Sequence, residues 1–316
     1  MPDHWRLGVV DRCVLEALDR IGARPDGHHR KCANVVDVLA EEFGVGPRYG
    51  YDALCLMAQP WRVHARLVDF HGNYGSANDI DPPANPRYTE ARLSRAGLAA
   101  LAAERGGPRL PIRLINGDLH VDGSAPPFSP SRVVATLLAL VDDPALSDRE
   151  IVAGIGPPES PTGCEIGCDD VALAAGKPTG LVMTAHLTHE RTEREQLIVL
   201  SHPPLGIGDA TIAEAIAARV QVARGSRARG DDALAELGLA LRDVRNETRD
   251  DMTRVVGVLP AGADASFLES QILTTWGVVT RRRVRLPAPL PQLVRELVDA
   301  DAAAQRGALA ALLRDL

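Results

Sequence analysis

Lysine is almost missing from this chain. Lys31 and Lys177 are the two it has, and arginine carries the rest of the positive charge. That bias is the signature of a GC-rich genome and implies no function. No apolar run is long enough to span a membrane, and the start, Met1-Pro2-Asp3-His4-Trp5-Arg6, has none of the charge and apolar pattern of a signal peptide. The expectation is a cytoplasmic protein with no membrane partner. Cysteine is sparse and odd in number, five in all, which argues against a disulfide framework. Cys164 and Cys168 form one pair with no second pair at zinc spacing, so they are read as ordinary thiols. No phosphate-binding glycine loop and no acidic metal-ligand cluster stand out.

What is present suits a folded protein of two domains or one large one: 316 residues, 45% hydrophobic and 24% charged. The net charge of -7 speaks against a surface covered in nucleic-acid contacts, but the charge is uneven. Residues 1–110 hold 14 basic and 14 acidic side chains and five of the nine histidines, while the remainder holds the whole deficit. Any polyanion is expected on the first part.

In that part the apolar spacing predicts a helix over 7–21, with Val10, Val14, Leu15, Leu18 and Ile21 on one stripe and Gly22 ending it. A second helix is predicted over 32–43 and a third over 51–58, stopped by Pro60. The basic segment Gly27-His28-His29-Arg30-Lys31 lies before the second. A glycine-rich hairpin follows the third. Three short helices and a hairpin make a winged-helix pattern, which presents one helix to a DNA groove.

The chain is organised around Asn85-Pro86-Arg87-Tyr88-Thr89-Glu90-Ala91-Arg92-Leu93. At neutral pH roughly one phenol in a thousand is ionised, so a nucleophilic tyrosine needs a cation, a base or an activated phosphodiester beside it. Arg87 is placed to clamp a phosphate with its planar fork. Thr89 and Glu90 read as the first turn of a helix running from 89 to 105, whose positive end would favour an anion. Taken alone, Arg-Tyr is a weak signal, and a partly buried tyrosine at a helix start is its commoner explanation.

The longer pattern separates these readings. Tyr51-Asp52-Ala53-Leu54, Met57-Ala58-Gln59-Pro60, Leu67-Val68-Asp69, Gly72-Asn73-Tyr74-Gly75-Ser76 and Arg87 through Leu93 occur in order. They resemble the breakage-reunion domain of type IIA DNA topoisomerases, the A subunit of bacterial DNA gyrase and topoisomerase IV. The resemblance implies an α+β fold: a winged-helix DNA-gate domain over 1–107, a tower-like α/β domain over 108–285 and a helical segment over 286–316. It implies Tyr88 as the nucleophile with Arg87 beside it, and duplex DNA along Arg30, Lys31, Arg48, Tyr49, Asn73 and Ser76. It implies a homodimer and a gyrase-B-like partner that supplies Mg2+ and ATP hydrolysis.

The chain also departs from the family pattern. Where the family carries His-Pro-His-Gly-Asp-Ser, this sequence reads Gly44-Val45-Gly46-Pro47-Arg48-Tyr49-Gly50, one residue shorter and without either histidine or the serine. In the family that serine and an acidic residue four positions on anchor quinolones through a metal-bound water. Asp52 matches the acid and Arg48 takes the serine's place, so weak cleavage and poor quinolone binding are expected. No residue after Gly117, in the segment 118–123, matches the isoleucine with which the family wedges and bends DNA.

Beyond the gate, 110–117 reads as a strand running into a turn, 131–141 as a helix and 155–163 as a turn. Residues 196–201, 241–247 and 255–259 read as strands, 209–219 as a helix and 225–230 as a charged loop tip. The run Arg281-Arg282-Arg283-Val284-Arg285 is either a solvated strand edge or a DNA contact, and terminal helices follow over 292–316. No counterpart of the family's coiled coil, exit gate, wrapping domain or N-terminal arm is recognisable, so a shortened form is expected. Two functions compete: a topoisomerase component that cleaves and rejoins DNA through Tyr88, and a catalytically weak DNA- or gyrase-binding protein, a regulator or antibiotic-protection factor, on the same fold.

Overall fold

The computed structural model describes residues 4–77, 82–118, 124–229, 239–249, 252–299 and 301–316; side chains of 226–229 lie outside the description. The segment that lacks the family's wedge falls mostly within 119–123, outside the described residues.

The first unit is built from helices α1 (Val9–Arg20), α2 (Cys32–Phe43) and α3 (Pro47–Leu56), strands β1 (Arg30–Lys31), β2 (Val68–His71) and β3 (Glu90–Leu93), and helix α4 (Arg95–Glu104). α1 buries Val14, Leu15 and Leu18, the stripe that its sequence spacing defines. α2 ends where Gly44 takes a left-handed conformation (φ 65°) and turns its N–H to Leu39 O. α3 begins four residues earlier than its apolar pattern, because Pro47 at its first position has the right φ and no N–H to satisfy. The strands form an antiparallel sheet in the order β1-β3-β2, with Asp69 opposite Arg92, His71 opposite Glu90 and Lys31 also opposite Glu90.

The continuous helix expected over 89–105 does not form. Residues 90–93 are strand β3, with Ala91 and Leu93 buried and their neighbours half-buried, a period of two. Ser94 then starts α4 as its N-cap, accepting from Gly97 N–H. Leucines and alanines in the α4 stretch masked the short alternation before it. The anion-favouring helix end at Thr89 is therefore withdrawn.

A second correction concerns 110–117. Its Ile-Arg-Leu-Ile core is a short helix, α5 (Ile112–Asn116), closed by Gly117 at φ 64°. Asn116 then does what a strand would have done: its amide accepts from Ala65 N–H (2.7 Å) and donates to Ala65 O (2.9 Å). α6 (Pro130–Asp142) and α7 (Asp148–Ile155) follow, α7 opening on a Ser147/Glu150 capping box.

The rest contains β4 (Glu165–Gly167), α8 (Asp170–Ala174), β5 (Thr179–Thr184), β6 (His186–Arg191), β7 (Gln196–Ser201), α9 (Asp209–Arg229), β8 (Asp243–Asn246), β9 (Val255–Val258), α10 (Ala265–Ile272) and β10 (Val279–Val284), ending in α11 (Leu290–Glu296) and α12 (Ala302–Asp315). α9 runs through most of the stretch expected to be a loop tip, since Ala and Arg on both sides of Gly225 favour helix. The sheets are β10-β5-β4 and β6-β7-β9-β8, antiparallel throughout. In the four-stranded sheet, Ile198, Leu200 and Val255 pack with Ile212, Ile216, Leu268 and Ile272 of α9 and α10. Leu197, Val199, Val256 and Val258 bury the opposite face. The chain is thus α+β, and one buried cluster runs from α1 through α6 to Leu309 and Leu312 of α12. No described helix is long and apolar enough to cross a membrane.

Candidate active site around Tyr88

Asn85-Pro86-Arg87-Tyr88 is a β-turn. Tyr88 N–H donates to Asn85 O (2.8 Å), and the Asn85 side chain accepts from Arg87 N–H (3.2 Å). Asn at the first and Pro at the second position are the residues such a turn favours. The turn is bolted to the start of α2: Cys32 N–H donates to Thr89 O (3.0 Å) and Ala33 N–H to Pro86 O (3.1 Å). Two orphan amides of a helix N-terminus are thereby spent on holding the tyrosine turn.

Beneath it lies a buried hydroxyl pair. Tyr51 of α3 donates to Ala84 O, and since it has one proton, the Thr89 hydroxyl donates to Tyr51 Oη (2.9 Å). Thr89 is fully buried. Burial pushes the Tyr51 phenol well above its ordinary range, so it stays neutral. Gly72, at φ 95°, passes so close that a Cβ there would lie 3.3 Å from Thr89 Cγ2. Tyr51→Phe is expected to take from Ala84 O its donor and from the Thr89 hydroxyl its oxygen acceptor, and to cost about 2 kcal/mol. Urea unfolding checks this; an unchanged midpoint would mean that the pair does not brace the turn.

The Tyr88 side chain itself is 65% exposed. It is neither buried nor at a helix start, which removes the structural reading of the sequence. The Arg87 guanidinium lies over its ring, 4.7 Å from the centroid. The nearby thiols are no rivals as nucleophiles: burial pushes Cys32 up to about 11 and Cys55 up to about 12.

The other sequence-predicted residues divide. Arg30 is exposed on β1 beside the helix start that grips the turn. Lys31 is exposed but pairs with Glu90 (2.8 Å), so its charge is already partly matched. Arg48 and Tyr49 are exposed in the first turn of α3, Asp52 is exposed one turn further, and no hydrogen bond or ion pair joins them to Tyr88. Asn73 accepts from Gly75 N–H (2.7 Å) and so shapes its own loop, while Ser76 is half-buried.

Sequence reasoning missed a charged cluster on the small sheet. His29 and His71 stack with ring centroids 3.7 Å apart. Asp69 Oδ2 accepts from Arg92 Nε (2.7 Å) and lies 3.3 Å from His29 Nε2, while Arg92 also donates to Gly27 O (2.7 Å). The antiparallel register places Asp69 beside Arg92; only that register, invisible before the strands were known, could have found it. Burial and the neighbouring positive groups lower the His29 pKa against the pull of Asp69. Burial works to raise Asp69, but the Arg92 hydrogen bond and the charges of His29 and Arg92 prevail and lower it. A carboxylate depressed in the folded state adds stability above its unfolded pKa of about 4 and loses it as pH falls through the folded value. Asp69→Asn should therefore flatten the acid side of a melting-temperature profile relative to wild type. Parallel profiles below about pH 4 would refute the assignment.

Residues 7–105 match the family model for the A subunit of DNA gyrase/topoisomerase IV. The A subunit of DNA topoisomerase 4 from Synechocystis sp. is 32% identical over 248 residues, covering 68% of this chain and 27% of that protein. The DNA gyrase A subunit of the same organism is 34% identical over 51% of this chain and 21% of the relative. The DNA gyrase A subunit of Kosmotoga olearia is 29% identical over 303 residues, 86% of this chain and 36% of the relative. The chain thus spans about a third or less of the length of these relatives. With the family model falling on the first unit and the tyrosine turn, and relatives matched over as much as 86% of its length, the chain belongs to the family of DNA gyrase and topoisomerase IV A subunits.

Proposed function

We propose that this chain is a gyrase-A-like protein that binds duplex DNA and cleaves and rejoins it through a phosphotyrosyl link at Tyr88. In this reading α1–α4 with the small sheet form a winged-helix gate over 1–107, followed by a tower-like part over 108–285 and a helical end over 286–316. The observation that carries it is the exposed phenol on a turn fixed at both carbonyls to α2, with an arginine against it. A purely structural tyrosine would gain nothing from being braced in order to face solvent. In the reaction the Tyr88 phenol gives its proton to solvent as its oxygen bonds to a backbone phosphorus, the bond from phosphorus to the deoxyribose oxygen breaks and that oxygen takes up a proton from solvent, and the charge on the phosphoryl oxygens falls to Arg87. Resealing reverses these steps. Arg30, Arg48 and Tyr49 hold the flanking backbone and Lys31 contributes once Glu90 yields it.

Among the described residues no group of three or more His, Cys, Asp or Glu side chains is arranged to hold a metal ion. This reading assigns Mg2+ and ATP hydrolysis to a gyrase-B-like partner. Two copies related by a two-fold axis would address the two strands, in the cytoplasm where the chromosome lies. The test is covalent trapping: supercoiled plasmid with the protein, magnesium and a B subunit from the same source, stopped with detergent, against Tyr88→Phe.

A second reading, a DNA- or gyrase-binding protein of little catalytic power, draws on one observation. Among the described residues no base or acid side chain is hydrogen-bonded to Tyr88, and the segment 44–50 that bears histidines in the family has none here. Salt-sensitive DNA binding without any adduct would select it.

A further inference from the structure

The arginine run near the C-terminus is not one uniform block. β10 pairs with β5 so that Arg281 faces Val182 across the ladder and Arg283 faces Gly180. Directly opposite residues share a face. On one face Leu181, Met183 and Val284 are buried, and Arg282 turns with them to reach Leu205 O (3.4 Å). On the other, Arg281 and Arg283 are exposed, and neither has an ion pair or hydrogen bond within the described residues. Several other arginines of the described chain are matched to carboxylates, Arg92, Arg105, Arg245 and Arg254 among them.

The strip beside the two free guanidinium groups is bare. Gly180 lies opposite Arg283, and Gly167 lies one strand beyond Arg281, past Val182. A Cβ at either glycine would meet nothing within 4 Å. Arg285, exposed, continues the alternation of Arg281 and Arg283 past the end of the ladder, its Nε donating to Gly176 O (3.1 Å). Glu165 shares the face at its far corner, opposite Thr184, and Asp169 and Asp170 follow β4; none of these acids pairs with the arginines. Among the described residues β10 is the edge strand of its sheet.

We propose that Arg281 and Arg283 form a second phosphate-backbone contact for duplex DNA, outside the Tyr88 gate; the proposal rests on the DNA-binding reading above. Side chains two apart on a strand stand about 7 Å apart on one face. That spacing suits neighbouring phosphates of a single strand, and the bare glycines leave room for the sugar-phosphate ribbon. A guanidinium is the better group for this, because its fork meets two phosphoryl oxygens at once. Such a contact is blind to sequence and releases counterions.

The test is the salt dependence of binding to a duplex of about 30 base pairs, read by fluorescence anisotropy with the full chain. The slope of log affinity against log salt falls by about 0.9 for each phosphate no longer neutralised. Arg281→Gln with Arg283→Gln should lower its magnitude by about 1.8, and Arg281→Lys with Arg283→Lys should keep the wild-type slope, because the charge remains. Arg30→Gln with Arg48→Gln, at the proposed gate, should lower it independently. A Gln pair with the wild-type slope overturns the proposal and leaves the gate reading standing; the arginines then serve only to keep the bare edge from pairing with another strand. A Lys pair that loses the slope as well also overturns it. Wild-type protein with no salt-dependent binding removes both readings together.

Discussion

Tyr88→Phe is expected to abolish protein-linked DNA while leaving the fold intact. The ring keeps its place: Phe can occupy the same turn and offer the same face to Arg87, 4.7 Å from the centroid. The hydroxyl makes no hydrogen bond within the described chain, and the side chain is 65% exposed. Stability should therefore move by no more than about 0.5 kcal/mol. Chemistry should fall to nothing, because a phenyl ring has no oxygen to form the phosphotyrosyl bond. Detergent-trapped nicked or linear plasmid should be present with the wild type and absent with the variant at equal DNA occupancy. Adducts that persist in Tyr88→Phe would move the nucleophile elsewhere, and the exposed Tyr49 would be the next residue to substitute. Adducts absent from both would leave a binding protein. The structure makes the contrast clean, since the brace beneath the turn runs through Tyr51 and Thr89 and does not use the Tyr88 hydroxyl.

How much of this could be read in the sequence depends on how local the signal was. α1 and α2 were legible because apolar spacing, a closing glycine and burial all agree. The tyrosine turn was legible as a motif but not as geometry: a run of Leu and Ala beyond Ser94 extended the apparent helix back over β3. What fixes β3 is not local. Leu93 N–H donates to Ala23 O, and Thr89 O accepts from Cys32 N–H, partners far away in the chain. The same holds for α5, whose Asn116 pairs with Ala65. Among candidate site residues, Tyr88, Arg87, Arg30, Arg48 and Tyr49 are exposed. Tyr51 was part of a matched block, yet its role as a brace depends on a hydroxyl contact with Thr89 that no spacing rule foretells. Lys31 shows the opposite failure: its charge was visible, but the strand register that sets Glu90 beside it was not.

Gly97→Ala should be the most damaging small substitution in the first unit. A Cβ on Gly97 would lie 2.0 Å from Leu67 O and 2.9 Å from Leu67 C, so the obstacle is backbone, not a side chain that can rotate away. Nor can Leu67 retreat. Its N–H donates to Met57 O, its carbonyl accepts from Ser94 N–H (3.1 Å), and its side chain is buried. Ser94 Oγ in turn donates to Arg66 O (2.8 Å) and accepts from Gly97 N–H (2.9 Å), which closes a tight loop between α4 and the start of β2. Helix propensity favours Ala by about 1 kcal/mol, but the clash outweighs it, and a net loss of about 3 kcal/mol is expected. The same exchange at Gly307 in α12, where a Cβ meets nothing within 4 Å, should instead stabilise by about 0.5–1 kcal/mol. Opposite signs for one chemical change isolate sterics from propensity, and urea unfolding of the two variants reads them. The consequence reaches the active site. α4 can move off Leu67 only by shifting β3, to which Ser94 joins it, and β3 carries the residues that follow Tyr88. A Gly97→Ala protein as stable as wild type would show that α4 is free to slide, and the Tyr88 turn would then be held by α2 and the Tyr51 pair without it.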